Sequence, residues 1–332
     1  MILPEVRIVN KTVKGLTRDK DFVILLPPCG GRMCQVLVVG SVALDTVYTP
    51  YGKREEMPGG SGLYFSAAAS LWAPVRVVGV VGEDFPTSAL VPLRERGVDL
   101  SGLRVVPGRT FRWVGEYGED PNLRRTLDTQ LNVFQDFRPE LSPPYRDTPF
   151  VFLANIDPEL QLAVLEQVEG RKFVACDTMD FWIRGKRDAL SEVLSRVDMA
   201  VLNEEEVREL SGRRNPVDAA EVVAGMGPRW VVVKRGEHGA VLFSDEGPFL
   251  LPAFPVRKVL DPTGAGDTFA GGTLGYLARA GTPSDRTLRR AMAYGTVLAS
   301  FCVEGFGLEG LTGLTLEDVE ERFRKFRKML EF

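Results

Sequence analysis

Six short apolar runs, QVLVVG, VRVVGVVG, FVFLAN, KFVACD, MAVLN and WVVVK, recur from about residue 35 onward, and most stretches between them carry helical spacing. This alternation restricts the fold more than any other feature. Parallel strands need crossovers of a dozen or more residues, and a strand buried on both faces reads as a continuous apolar run. The expectation is an α/β chain with a three-layer α/β/α core on a mostly parallel sheet. At 332 residues there is room for one large domain of this kind or two ordinary ones.

Two stretches interrupt the rhythm: DTVYTPYGKREEMPGG after the first strand, with its irregular segment at about 45–58, and Leu103 to Asn132. The second alternates apolar and charged residues around the turn-like GEDPN, as a hairpin with one solvated face does. Together they predict either a small sheet beside the core or a decorated edge of the main sheet. Residues 1–32 lack a clear period, and Met33 stands directly before the first convincing strand. They are expected to be an N-terminal extension, or the product of a start codon chosen too early, with one domain spanning 33–332.

Charge and residue counts exclude several function classes. The balance of 41 basic and 45 acidic residues, net −4, gives no reason to expect a nucleic-acid or anionic-membrane partner. The densest basic run, Arg322 to Lys328, closes an amphipathic helix spaced Leu316, Val319, Phe323, Phe326, Leu330, where it complements the helix C-terminus. No apolar run approaches the roughly 18 residues of a membrane span. Cys29, Cys34, Cys176 and Cys302 form no CxxC pair, so reduced thiols in a cytoplasmic protein are the simplest account. His238 is the sole histidine, which makes a site with two histidine ligands impossible and Ser-His-Asp or Cys-His catalysis improbable.

The chemistry concentrates in DPTGAGDTFAGG, Asp261 to Gly272. After Val259 and Leu260 the chain turns through glycines into a helical pattern that Gly281 and Pro283 stop. Gly264 and Gly266 therefore fall at a helix N-terminus, where unpaired amides and the helix dipole converge on an anion. The chain has no GK[ST], and its one GxGxxG, GFGLEG at Gly305 to Gly310, follows a helix where a dinucleotide fingerprint needs a strand. An acidic residue in a first helical turn is ordinary. Asp267 is read further because three helix-weakening glycines, 271, 272 and 275, follow it. In that reading the backbone holds a phosphoryl group while Asp267 takes the proton of an attacking hydroxyl.

DPTGAGDTFAGG closely resembles the C-terminal signature of the ribokinase-like (PfkB) carbohydrate kinases, and the resemblance runs from about Gln35 to the end of the chain. Further matches fall in the expected order: GSVALD, whose Asp45 would bind substrate hydroxyls; PGGSG, whose Gly59 and Gly60 would be the hinge of a lid; NEEE, whose Asn203 and Glu206 would serve phosphate and Mg²⁺, the latter through water; and KRGEHGA, whose Lys234, Gly236 and Gly239 would meet ATP. The resemblance implies Asp267 as catalytic base and the Gly264, Ala265 and Gly266 amides as the anion hole. It implies ATP and Mg²⁺ as cofactors and offers a monovalent-cation site, for K⁺, at Asp261 and Thr263. The irregular segments, about 45–58 and 103–132, become a β-sheet lid that in this family often forms a homodimer contact. Arg112, Trp113 and Asn155 fall where lid and strand ends could touch substrate. Ser61 and Tyr64 replace the lysine and asparagine of the ribokinase pattern GGKGAN, which puts ribose itself in question. The expected function is phosphorylation of a sugar or sugar-like hydroxyl. A nucleoside kinase and a catalytically idle sugar sensor are the alternatives; an NAD oxidoreductase is disfavoured by the misplaced GxGxxG.

Overall fold

Every one of the six apolar runs forms a strand in the computed structural model, which describes residues 34–331; the expected extension, residues 1–32, lies outside them. The described residues contain β1 (Val36–Val39), β2 (Ala43–Thr49), β3 (Gly52–Gly59), β4 (Val75–Gly82), β5 (Asp99–Val106), β6 (Phe111–Tyr117), β7 (Arg124–Gln130), β8 (Phe150–Leu153), β9 (Phe173–Asp177), β10 (Met199–Asn203), β11 (Trp230–Lys234), β12 (Ala240–Phe243) and β13 (Phe249–Leu251). Nine of them form one sheet in the order β13-β12-β11-β10-β9-β8-β1-β4-β5. It is parallel from β11 to β5, while β12 and β13 return antiparallel at one edge.

Successive residues of a strand face opposite ways, and the core divides accordingly. Val36, Val38, Phe150 and Phe152 pack under helices Ser61–Ala69, Ala265–Ala280 and Asp285–Cys302. Leu37, Val39, Val151 and Leu153 pack under Pro158–Gln167, Arg187–Leu194, Glu204–Ser211 and Pro216–Ala224. The three layers follow directly from apolar side chains on both strand faces. Because β1 lies between β8 and β4, the chain winds outward in one direction through β5 and in the other through β11. Open α/β sheets bind ligands at such a reversal, in the crevice beyond the carboxyl ends of the strands.

The other four strands make a second, separate sheet, β3-β2-β6-β7. Leu103–Val106, which the sequence grouped with this sheet, is instead the end of β5, paired in parallel with β4 at the edge of the large sheet. Cys176 and Cys302 are free and buried. Cys34 is disulfide-bonded, a departure from the expected set of reduced thiols; Cys29 lies outside the described residues. Among the described residues no helix is long and apolar enough to cross a membrane.

Candidate active site

Helix Ala265–Ala280 begins after Gly264, whose backbone is left-handed at φ 75° and ψ 1°. Glycine takes that conformation at little steric cost. A Cβ on Gly264 would also stand 2.3 Å from the Tyr64 ring, which is itself fully buried. The turn before the helix is held by Asp261, only 1% exposed. Its Oδ1 accepts the Thr263 N–H at 2.9 Å and its Oδ2 accepts the Gly307 N–H at 3.0 Å. Burial raises the Asp261 carboxyl above its ordinary range, against the pull of these hydrogen bonds. The GFGLEG loop thus has a use that no dinucleotide motif foretold: Gly307 anchors the turn. The Thr263 hydroxyl donates to the Tyr117 hydroxyl at 3.3 Å.

The three amides named from the sequence are not equivalent, since the Ala265 N–H already donates to the Pro262 carbonyl at 3.3 Å. The later glycines have a different explanation from the one the sequence suggested. A Cβ on Gly271 would lie 2.2 Å from the Phe65 carbonyl oxygen, one on Gly272 2.9 Å from the Gly295 Cα, and one on Gly275 2.8 Å from the Ala69 Cα. Close helix packing accounts for all three.

Strand ends deliver the charges. Lys234, last in β11, donates to Oδ2 of Asp177, last in β9, at 2.9 Å. Asp177 is 4% exposed, and its Oδ1 accepts the Thr178 N–H at 2.8 Å. Asn203, last in β10, caps helix Glu204–Ser211: its Oδ1 accepts the Glu206 N–H at 2.8 Å while Glu206 Oε2 accepts the Asn203 N–H at 2.7 Å. This box fixes Glu206, 8% exposed, close to Lys234 and Asp177. Burial, then the charge of Asp177, pushes Glu206 up to about 7, with Lys234 pulling the other way. Asp267, in the first turn of its helix and partly exposed, is also pushed up to about 7, by burial first and Asp177 second; Lys234 and Arg124 of β7 oppose. Burial alone would lower Lys234, but Asp177 and Glu206 outweigh it and hold the ammonium at about 12.

Asp177 was missed in the sequence. The available signal was positional, an acidic residue closing a buried strand at the carboxyl end of the sheet. Around Lys234 the carboxylates of Asp177, Glu206 and Asp267 outnumber the cations, and that excess adds to burial in raising the proton affinities of Glu206 and Asp267. Among the described residues no three acidic, cysteine or histidine side chains converge to hold a metal by themselves. The donor set suits Mg²⁺ instead, which keeps several waters and takes one or two carboxylates together with phosphate oxygens.

In the small sheet, Asp45 of β2 is 4% exposed and its Oδ2 accepts the Gly60 N–H at 3.2 Å. Burial, with help from the charges of Asp261 and Asp267, pushes it up to about 7. Gly59 and Gly60 crowd this carboxylate: a Cβ on Gly59 would stand 2.1 Å from Asp45 Oδ2. Arg112 is occupied elsewhere. It pairs with Glu56 at 2.8 Å and Asp84 at 2.9 Å and donates to the Thr110 carbonyl, tying β6 to β3 and to the loop after β4. Asn155 accepts from the Trp182 indole at 3.2 Å, and Trp113 donates to Thr126 within the small sheet.

A cavity of about 490 Å³ adjoins the helix N-terminus. Lys234, Gly236, Gly239, Ala265 and Gly266, all named from the sequence, line it; its apolar walls include Phe254, Val259 and Phe269. Pro121 and Asn122, in the turn between β6 and β7, close one side, and Asn122 Oδ1 accepts the Glu237 N–H at 3.4 Å. The small sheet therefore reaches across to the rim of this cavity. Asp267 sits one residue beyond its wall.

Comparison with known proteins agrees with this geometry. Residues 33–311 match the family model described as pfkB family carbohydrate kinase. The chain is 34% identical over 270 residues to a cytidine kinase of Thermococcus kodakarensis, covering 77% of this chain and 93% of that one. It is 26% identical over 321 residues to a nucleoside kinase of Methanocaldococcus jannaschii, covering 90% and 99%. The crystal structure of the M. jannaschii nucleoside kinase superposes with a TM-score of 0.71 at 23% identity, over 89% of this chain and 100% of that chain. A putative ribokinase II from E. coli in complex with ATP and Mg²⁺ gives a TM-score of 0.73 at 22% identity, over 88% and 100%. The chain belongs to the pfkB family of carbohydrate kinases, phosphotransferases with a hydroxyl acceptor.

Proposed function

We propose that the chain transfers the γ-phosphoryl group of ATP to a hydroxyl of a ribonucleoside, with Asp267 as general base. The observation that carries this reading is the placement of Asp267, pushed up to about 7, one residue past the Ala265–Gly266 wall of the cavity. A base of that proton affinity is half ionised near neutrality, where proton transfer is most effective.

ATP occupies the cavity with its adenine ring between the apolar walls and its terminal phosphate at the glycine turn. The acceptor lies between Asp45 and Asp267, under the small sheet, where Asp45 accepts hydrogen bonds from its hydroxyls. The reacting hydroxyl gives its proton to Asp267 as its oxygen bonds the γ-phosphorus, and the bridging P–O bond to the β-phosphate breaks to release ADP. Charge building on the γ-oxygens meets the Gly266 amide, the positive helix end and the Lys234 ammonium. Glu206 and Asp177 would hold Mg²⁺, which would supply charge compensation for the phosphates. The likeness to a cytidine kinase and a nucleoside kinase supports a nucleoside as acceptor.

An ADP-release screen with Mg²⁺-ATP against cytidine, uridine, adenosine, inosine, ribose, fructose and 2-keto-3-deoxygluconate tests this. Turnover is expected with nucleosides. Turnover confined to free sugars or sugar acids refutes the acceptor, and no stimulation by any compound refutes the kinase reading.

A further inference from the structure

A second cavity, about 330 Å³, opens on the far end of helix Asp285–Cys302, between that helix, the C-terminal helix Leu316–Leu330 and edge strand β13. Its floor is apolar, with Leu251 and Phe326 almost fully buried. Its rim carries Arg286, Arg289, Arg290 and Arg327. Two of these are partnered by acids: Arg289 with Glu246 at 3.0 Å and Arg327 with Glu331 at 3.7 Å. Among the described residues the Arg286 guanidinium makes neither ion pair nor hydrogen bond, and Arg290 has no carboxylate at ion-pair distance, its guanidinium being held by the Tyr294 hydroxyl and the more distant charge of Glu320. The helix dipole disfavours cations in a first turn, so packing stability does not account for Arg286 at this position.

Guanidinium groups above aromatic rings make a surface that takes an anion attached to a flat apolar body. Arg289 stacks over Phe249 at 5.4 Å and Arg290 over Phe323 at 5.9 Å. The cavity volume falls at the lower end of the range for small-molecule sites, and arginine is the side chain best matched to phosphate oxygens. The cavity also touches the nucleotide side of the molecule. Phe326 of its floor meets Phe254 edge to face at 6.0 Å, and Phe254 is a wall of the first cavity. Helix Asp285–Cys302 carries Arg286 at one end and Ser300, another wall residue of the first cavity, about 21 Å further along.

We propose that this second cavity is an effector site for a phosphorylated ring compound, a nucleoside monophosphate in chemistry, whose occupancy changes nucleotide affinity in the first cavity. The phosphate sits on Arg286 and Arg290 and the base lies across the apolar mouth of the cavity, against Phe249 and Leu330. Displacement of Phe326 by the base is passed to Phe254. A ligand alters affinity at a second site only through an element that both bias, and the Phe326–Phe254 contact is that element here.

The test uses AMP as probe. Wild type and Arg286→Glu, an exposed position that leaves the core untouched, are titrated calorimetrically with AMP while a non-hydrolysable ATP analogue fills the first cavity. Wild type is expected to bind AMP, and Arg286→Glu at least ~5-fold more weakly; inorganic phosphate alone should bind more weakly than AMP. No AMP binding beside the ATP analogue, or equal binding by the variant, overturns the site. In steady state, AMP should shift the KM for ATP to a plateau in wild type and leave Arg286→Glu unmoved by that route. An unlimited, purely competitive effect identical in both proteins overturns the coupling. The coupling arm rests on the proposed kinase reading; the binding arm stands without it, so the two failures are distinguishable.

Discussion

Replacing Asp267 by asparagine should make the protein more stable and nearly inactive at once. A carboxyl raised from 3.8 to about 7 in the folded chain disfavours its ionised form there by ~4 kcal/mol, at about 1.4 kcal/mol per pH unit. The direction in pH follows from proton binding. Between pH 4 and 7 the folded chain holds a proton that the unfolded chain has released, so wild-type stability declines with rising pH and levels off above pH 7. Asparagine removes the charge but keeps a desolvated polar group, so the net gain is about 1–2 kcal/mol, or ~1.5–3 °C in Tm for a chain of this size. The gain is expected at pH 8 and should fade towards pH 4, as differential scanning fluorimetry across that range would show. Turnover of Asp267→Asn should drop at least ~10²-fold with ATP binding largely retained. In wild type, kcat/KM should climb about tenfold per pH unit below pH 7 and flatten above it. A Tm difference independent of pH, or a variant that keeps a tenth of wild-type turnover, would refute the assignment of Asp267 as a strained base.

Lys234→Met leaves Asp177 and Glu206 without their counter-ion; a loss of about 3–5 kcal/mol in urea unfolding is expected. The deficit should grow with pH because the two acids then ionise against each other, and a midpoint equal to wild type at pH 8 would contradict this. Gly60→Ala places a Cβ 2.6 Å from the Ser41 carbonyl oxygen at φ +89°, so a cost of ~1–3 kcal/mol and a raised KM for the acceptor are expected; an unchanged Tm and KM would rule out the strained hinge. Removing residues 1–32, which precede the segment matched by the family model, should leave folding and turnover intact, and an insoluble truncated chain would show that they are needed.

Much of the architecture was legible because it depends on order along the chain. Runs buried on both faces suit inner strands of a sheet covered twice, and the six runs from QVLVVG to WVVVK became β1, β4, β8, β9, β10 and β11 of the large sheet. A glycine turn ahead of a helical period places amides at a helix N-terminus whatever surrounds it, so Gly264 and Gly266 could be located without a structure. The sequence could not separate glycines that serve a ligand from glycines that serve packing. Gly271, Gly272 and Gly275 were counted towards the site, and their reason lies in helices Ser61–Ala69 and Asp285–Cys302, remote in the chain. Arg112 illustrates the converse: it was read as a residue that could touch substrate, but its donors are already occupied by Glu56, Asp84 and Thr110.

The sequence alone, then, determined the layers, the strands and the glycine turn at a helix N-terminus, because periodicity and backbone conformation are local properties. Only the tertiary structure decided which charges meet. Asp177, Glu206, Lys234 and Asp267 come from four separate segments, and their proton affinities follow from mutual distance and desolvation. A carboxyl titrates near neutrality through the burial and the company that folding gives it, and neither can be read from its neighbours in the chain.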